Sequence, residues 1–150
     1  MRKATSAGGR LWDEASFFDL LRQRDAKAEP YARKLLDWVS TRGSVWWGRG
    51  AQTGSFVPMI RSSSKPKALC AMYTGGTLEM YFRFLASKPP FDDAQQLNDA
   101  IARVSRALPK PLIEDAAHKK PNIRLCELSA LQFDQLLDAL DWMAQAIHNS

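Results

Sequence analysis

The spacing of apolar and polar positions changes several times along the chain, and each change marks an element. Phe17, Leu20 and Leu21 recur at i, i+3 and i+4 behind Asp13, a capping residue type, which predicts a first helix from Asp13 through Arg22. Ala32, Leu35, Leu36 and Val39 repeat that spacing after Pro30, a residue favoured in the first helical turn, and Gly43 is the expected stop. The period then falls to 2. Strand-like runs follow at Ser44–Trp47, Ser55–Ile60, Ala68–Thr74 and Thr77–Leu85. Gly48, Gly50 and Gly54 form a flexible connection between the first two. Pro58 has no N–H to give, so the second strand is expected at an edge or with a bulge. Gly75-Gly76 predicts a two-residue hairpin turn. In the fourth run Leu78, Met80, Phe82 and Phe84 share one face, and Thr77, Glu79, Tyr81 and Arg83 the other, which implies one packed face and one wetter face. Helical spacing returns behind Asp92, the expected cap, with Leu97, Ile101, Val104 and Leu108 on one stripe. Residues 109–122 read as irregular. Ile123-Arg124-Leu125 reads as a short fifth strand. Ser129 and Gln132 form a capping-box pattern that opens a last helix with Phe133, Leu136, Leu137, Leu140, Ala144 and Ile147 inward.

The element order ααββββαβα predicts an α+β fold, a two-layer arrangement in which an antiparallel sheet of four to five strands carries helices on one face. The 150 residues suit one domain, expected over residues 11–150 behind a short, disordered basic tail at residues 1–10. No apolar run approaches the roughly 20 residues of a membrane span, and the first residues lack the apolar core of a secretory signal. Cys70 and Cys126 are too few for a disulfide framework or a zinc site. Both read as buried thiols, which suits a reducing cytoplasm.

Charge changes this picture more than composition does. At 45% apolar and 25% charged the chain is an ordinary globular protein with a formal net charge of +5. The excess is concentrated in the strand region, where Arg42, Arg49, Arg61, Lys65, Lys67, Arg83 and Lys88 face Glu79 as the only acid. A basic, aromatic-bearing sheet beside acidic helices points to a polyanion. Trp46 and Trp47 must face opposite sides of their strand. One belongs to the core, and the other, with Tyr81, is a candidate platform for stacked bases unless a helix covers it. Arg49, Arg61, Lys65, Lys67 and Arg83 are the candidate phosphate contacts, against the plainer reading of a solvated basic surface. The loop from Gly48 to Ser55 lacks the lysine and following helix of a nucleotide P-loop, which excludes ATP or GTP binding of that kind. Metal-dependent nucleases need clustered acids, and the sheet supplies Glu79 alone. His118 and His148 have no neighbours in sequence suited to a triad or a metal. The residues therefore predict no catalytic site, no metal and no cofactor, the remaining enzymatic alternative being a site assembled in the fold from Glu79, Tyr81 and Arg83.

Trp46-Trp47-Gly48-Arg49-Gly50, Gly54-Ser55-Phe56-Val57-Pro58, Thr77-Leu78-Glu79-Met80-Tyr81-Phe82, Lys88-Pro89-Pro90-Phe91-Asp92-Asp93 and Leu140-Asp141-Trp142 occur in that order. As a set they resemble an uncharacterised bacterial accessory domain that occurs alone or attached to nuclease-like modules of the restriction type. The resemblance covers residues 12–147 and implies work connected with nucleic acid, by association rather than mechanism. The combined expectation is a non-enzymatic module, nucleic-acid-binding or nuclease-associated, that uses DNA or RNA as partner. The alternative is a protein-interaction or oligomerisation module of a defence or DNA-processing assembly. It would use the Pro58 strand edge, an exposed Trp, or the acidic row Asp134, Asp138 and Asp141.

Overall fold

The computed structural model describes residues 9–112 and 121–150. Two helices come first, α1 (Glu14–Arg24) and α2 (Glu29–Val39). Five strands follow: β1 (Gly43–Trp47), β2 (Ser55–Ile60), β3 (Lys67–Ala68), β4 (Cys70–Tyr73) and β5 (Thr77–Met80). The one-turn α3 (Phe82–Leu85), α4 (Ala94–Arg106), β6 (Asn122–Arg124) and α5 (Ala130–His148) complete the chain. The strands form one antiparallel six-stranded sheet in the order β1-β2-β4-β5-β6, with β3 also on β2. This is the expected α+β class, with one strand and one short helix more than the sequence pattern suggests. The tail expected at residues 1–10 falls mostly outside the described residues. Arg10 donates its N–H to the Arg49 carbonyl at 3.2 Å and lays its guanidinium over the Trp12 ring.

Register explains the core. Trp47, Phe56, Met72, Leu78 and Ile123 are successive cross-strand partners and make one row across the inner face of the sheet. Phe17 and Phe18 of α1 close on that row, each ring 5.1 Å from the other, and Phe17 also 5.1 Å from Phe56, in the edge-to-face geometry aromatic rings prefer. From the other end, α5 buries Phe133, Leu136, Leu140, Met143, Ala144 and Ile147. Its Phe133 stacks on Tyr31 of α2 at 4.6 Å. Asp13 caps α1 as expected, and Ser16 completes a capping box there; Ser129 and Gln132 form the predicted capping box on α5.

Several local expectations are corrected. Pro58 does not sit on an edge strand, because β2 pairs with β1 on one side and with β3 and β4 on the other. The bulge is there, on the partner. Met59 pairs with Ala68 and Phe56 with Met72, so Val57 and Pro58 oppose three residues, Leu69 to Ala71. The missing N–H of Pro58 falls at this break, and its carbonyl accepts from Leu69 N–H at 3.1 Å. Gly43 does not cap α2; it opens β1, where a Cβ would lie 1.8 Å from the Met59 carbonyl oxygen. The hairpin turn spans Tyr73 to Gly76, closed by Gly76 N–H on the Tyr73 carbonyl at 3.0 Å, and only Gly76 of the pair takes a positive φ, 91°. Asp93 rather than Asp92 caps α4, accepting from Gln96 N–H. The fourth run ends as a strand at Met80. Beyond it Phe82 turns inward, whereas Phe84, expected in the packed face, is 41% exposed.

The two layers are joined by an ion pair the sequence reading did not anticipate. Arg42, ahead of β1, meets the Asp141 carboxylate of α5, which also accepts from Trp38 Nε1 at 3.1 Å and Gln145 Nε2 at 2.9 Å. Burial pushes that carboxyl up, but the Arg42 guanidinium, Trp38 and Gln145 outweigh it and hold Asp141 below its ordinary value of 3.8. A carboxylate depressed in the folded state stabilises above its unfolded pKa, and that stability is lost as pH falls through the folded one. Asp141→Asn is therefore expected to lower the denaturation midpoint at neutral pH. The gap to the parent protein should shrink as the pH is taken below the ordinary carboxyl range. Denaturation at neutral and strongly acid pH measures this, and a gap independent of pH would remove the ion pair from the account.

Candidate nucleic-acid interface on the open sheet face

The outer face of the sheet follows from the same register. Trp46 with Val57, Ser44 with Met59 and Ala68, Ser55 with Tyr73, and Ala71 with Glu79 and Asn122 point away from α1, α2 and α5. Among the described residues none of the long helices packs there. Trp46, the candidate platform, is 54% exposed, while Trp47 turns inward to rings Phe17 and Phe56 at 5.9 and 5.6 Å. The alternation expected for this Trp pair holds, and it is Trp46 that stays open.

Two depressions lie on this face. One, of about 500 Å³, is lined by Ala68, Tyr81, Arg83 and Phe84, with Lys88 Nζ 4.9 Å from the Phe84 ring. The other, of about 380 Å³, is lined by Thr53, Tyr73, Gly75, Thr77, Glu79 and Asn122. Between them Tyr73 donates its hydroxyl to Glu79 Oε1 at 2.6 Å. Burial first, then the bond to Glu79, pushes the Tyr73 phenol up; burial and the Glu79 charge raise Tyr81 too. A phenol already carries its proton at neutral pH, and Tyr73 uses it as the donor to Glu79.

The expected cations do not all gather here. Arg49, Lys65 and Arg83 are exposed at three margins of the open face: after β1, in the β2–β3 loop and on α3. They have no ion-pair partner among the described residues. Arg61 turns to the opposite layer, donating to the Thr41 carbonyl at 2.8 Å in a cleft shared with His148. Lys67 departs further from a phosphate-facing cation. It is only 7% exposed, on the inner side beside Ile60, with Nζ 3.3 Å from Ser62 Oγ. Arg42 belongs to the Asp141 pair. The basic region of the sequence is therefore split between both sides of the sheet.

The glycine-rich loop is not the flexible connector its composition suggests. Trp12 covers it, with Nε1 donating to the Gly50 carbonyl at 2.8 Å, and a Cβ on Gly54 would lie 2.5 Å from the Trp12 ring. Arg24 donates to the Gln52 carbonyl at 2.9 Å and reaches Thr53 and Thr74. Thr74 in turn accepts from Gly54 N–H at 3.1 Å. The loop is thus a rigid margin that presents Arg49. Trp12 lies outside every periodic stripe, and its one sequence signal is a large aromatic next to the helix-capping Asp13.

Cys70 is buried, which pushes its thiol up and leaves it unreactive; Cys126 is only half-buried, unlike its expectation. His118, Lys119 and Lys120 lie outside the described residues. Among those described, no three His, Cys, Asp or Glu side chains come together as a metal-ligand group, and no helix is long and apolar enough to cross a membrane. Comparison of the chain with protein-family models, with curated proteins and with solved structures finds no match in any of the three.

Proposed function

We propose that this chain is a nucleic-acid-binding module that receives a single strand across the helix-free face of its sheet. The observation that carries the reading is Trp46, a large aromatic more than half exposed on a face the core does not use. An exposed indole on a strand leaves its π-face free for a ligand. Bases stack on such rings whatever their identity, and Tyr81 and Phe84 at the far depression extend the platform. Arg49, Lys65 and Arg83 at the margins suit a backbone passing over it. The resemblance to a domain attached to nuclease-like modules agrees with an accessory role of this type.

A second reading has its own observation. β1 ends the strand order and among the described residues pairs only with β2, and the outer face beside it carries the half-buried Met59 and Ala68. An added strand from a protein partner or a second copy would fit that edge.

Salt separates the two. Binding of labelled single strands, followed by fluorescence anisotropy, is expected to weaken linearly in log–log form as salt rises. Replacing Arg49, Lys65 and Arg83 together by Ala is expected to reduce the slope by about 2, near 0.7 per single-strand phosphate contact. Replacing Arg61, Arg106 and Lys110 removes the same charge elsewhere and is expected to change it less. Equal loss from both sets, or no binding at low salt, favours the protein edge.

A further inference from the structure

We infer that the depression beside Glu79 is a base-reading site and that the base it takes is guanine. The inference rests on the single-strand reading and adds a specificity to it. Among the described residues that line the depression Glu79 is the one carboxylate, and an acid on a surface that meets a polyanion needs a reason. Its Oε1 is fixed by the Tyr73 hydroxyl at 2.6 Å, and its cross-strand partner on β6 is Asn122, exposed and lining the same depression. The Tyr73 hydroxyl, as the donor of that bond, orients the carboxylate.

A carboxylate accepts only, so the ligand must bring donors. Guanine alone among the bases presents two adjacent donors, N1–H and the N2 amino group, with O6 beside them as an acceptor. Glu79 meets the two donors and the Asn122 amide can donate to O6. Adenine N1 and cytosine N3 would direct a lone pair at the carboxylate, and thymine or uracil offers one N–H flanked by two carbonyls. A base that cannot supply both donors leaves the carboxylate partly unmatched and forfeits the bidentate contact. Tyr73 and Thr77 form the walls, and the volume of about 380 Å³ admits a nucleobase.

The test uses the unmodified protein first. Labelled thymidine tracts carrying one central guanine, inosine or adenine are titrated by fluorescence anisotropy. Inosine lacks only the N2 amino group. Guanine is expected to bind about tenfold more tightly than inosine or adenine, within the range of a bidentate base contact. In Glu79→Gln, with folding checked by circular dichroism, the guanine-to-inosine ratio is expected to fall towards one. Binding of all tracts without preference for guanine overturns the base site while leaving the single-strand reading intact. No binding of any tract overturns both. If an arginine-rich peptide binds instead, and Glu79→Gln abolishes it, the donor recognised by Glu79 is a guanidinium of a protein partner.

Discussion

Phe56→Ala is expected to destabilise the protein by about 3–5 kcal/mol, the range for removing a fully buried phenylalanine ring. Phe56 has no exposed surface and sits mid-row on the inner sheet face, between Trp47 on β1 and Met72 on β4, under the rings of Phe17 and Phe18. Strands and rings meet it from three sides, so the space it leaves cannot close by moving one side chain. Domains of this kind have only about 5–15 kcal/mol of stability in total, so a large share is lost. Urea denaturation measures the change as a lower midpoint at unchanged slope. A loss under about 1 kcal/mol would show that α1 is not packed on the sheet as described.

What the sequence made legible was what depends on period and on local hydrogen bonding. The helices α1, α2, α4 and α5 follow from their apolar stripes; Asp13 is legible as a cap by residue type, and Ser129 by Gln132 three residues on, which completes the bond. The Gly75-Gly76 hairpin was legible as a pairing but not as a turn type, since either glycine could have supplied the positive φ. Other features depend on what lies across the sheet. Tyr81 to Leu85 alternates like a strand, yet Phe82 and Leu85 also satisfy helical spacing. Which wins is settled by the break at Leu69, whose carbonyl takes Tyr81 N–H at 3.3 Å and leaves β5 nothing further to pair with. Pro58 was legible as an irregularity, and its placement needed the bulge on the facing strand.

The candidate site divides in the same way. Alternation places Trp46 and Trp47 on opposite faces, but only the direction of the core, and what covers the other face, says which stays open. The charge count could not sort Arg49, Lys65 and Arg83 from Arg61 and Lys67, because exposed and buried lysines look alike in a sequence. Glu79 was visible as a lone acid. Tyr73, its partner six residues earlier, lies diagonally across the hairpin, and its role needed the register of Ala71 against Glu79.

The affinity of Trp46→Ala for a labelled single strand is the measurement closest to the central claim. Trp46 is expected to contribute about 1–3 kcal/mol through stacking on one base, which is roughly 5- to 150-fold in Kd. Because the ring is 54% exposed, little packing is lost with it and the denaturation midpoint should move little. Stacking involves no phosphate, so the salt slope should stay close to that of the parent protein while the whole line shifts to weaker binding. Duplex of the same sequence hides its base faces and should be affected much less. Single-strand binding weakened at least fivefold, with folding and salt slope retained, is the result this account predicts. A Trp46→Ala protein that is folded and binds single strands as tightly as the parent would contradict it, and the open face would then belong to a protein partner.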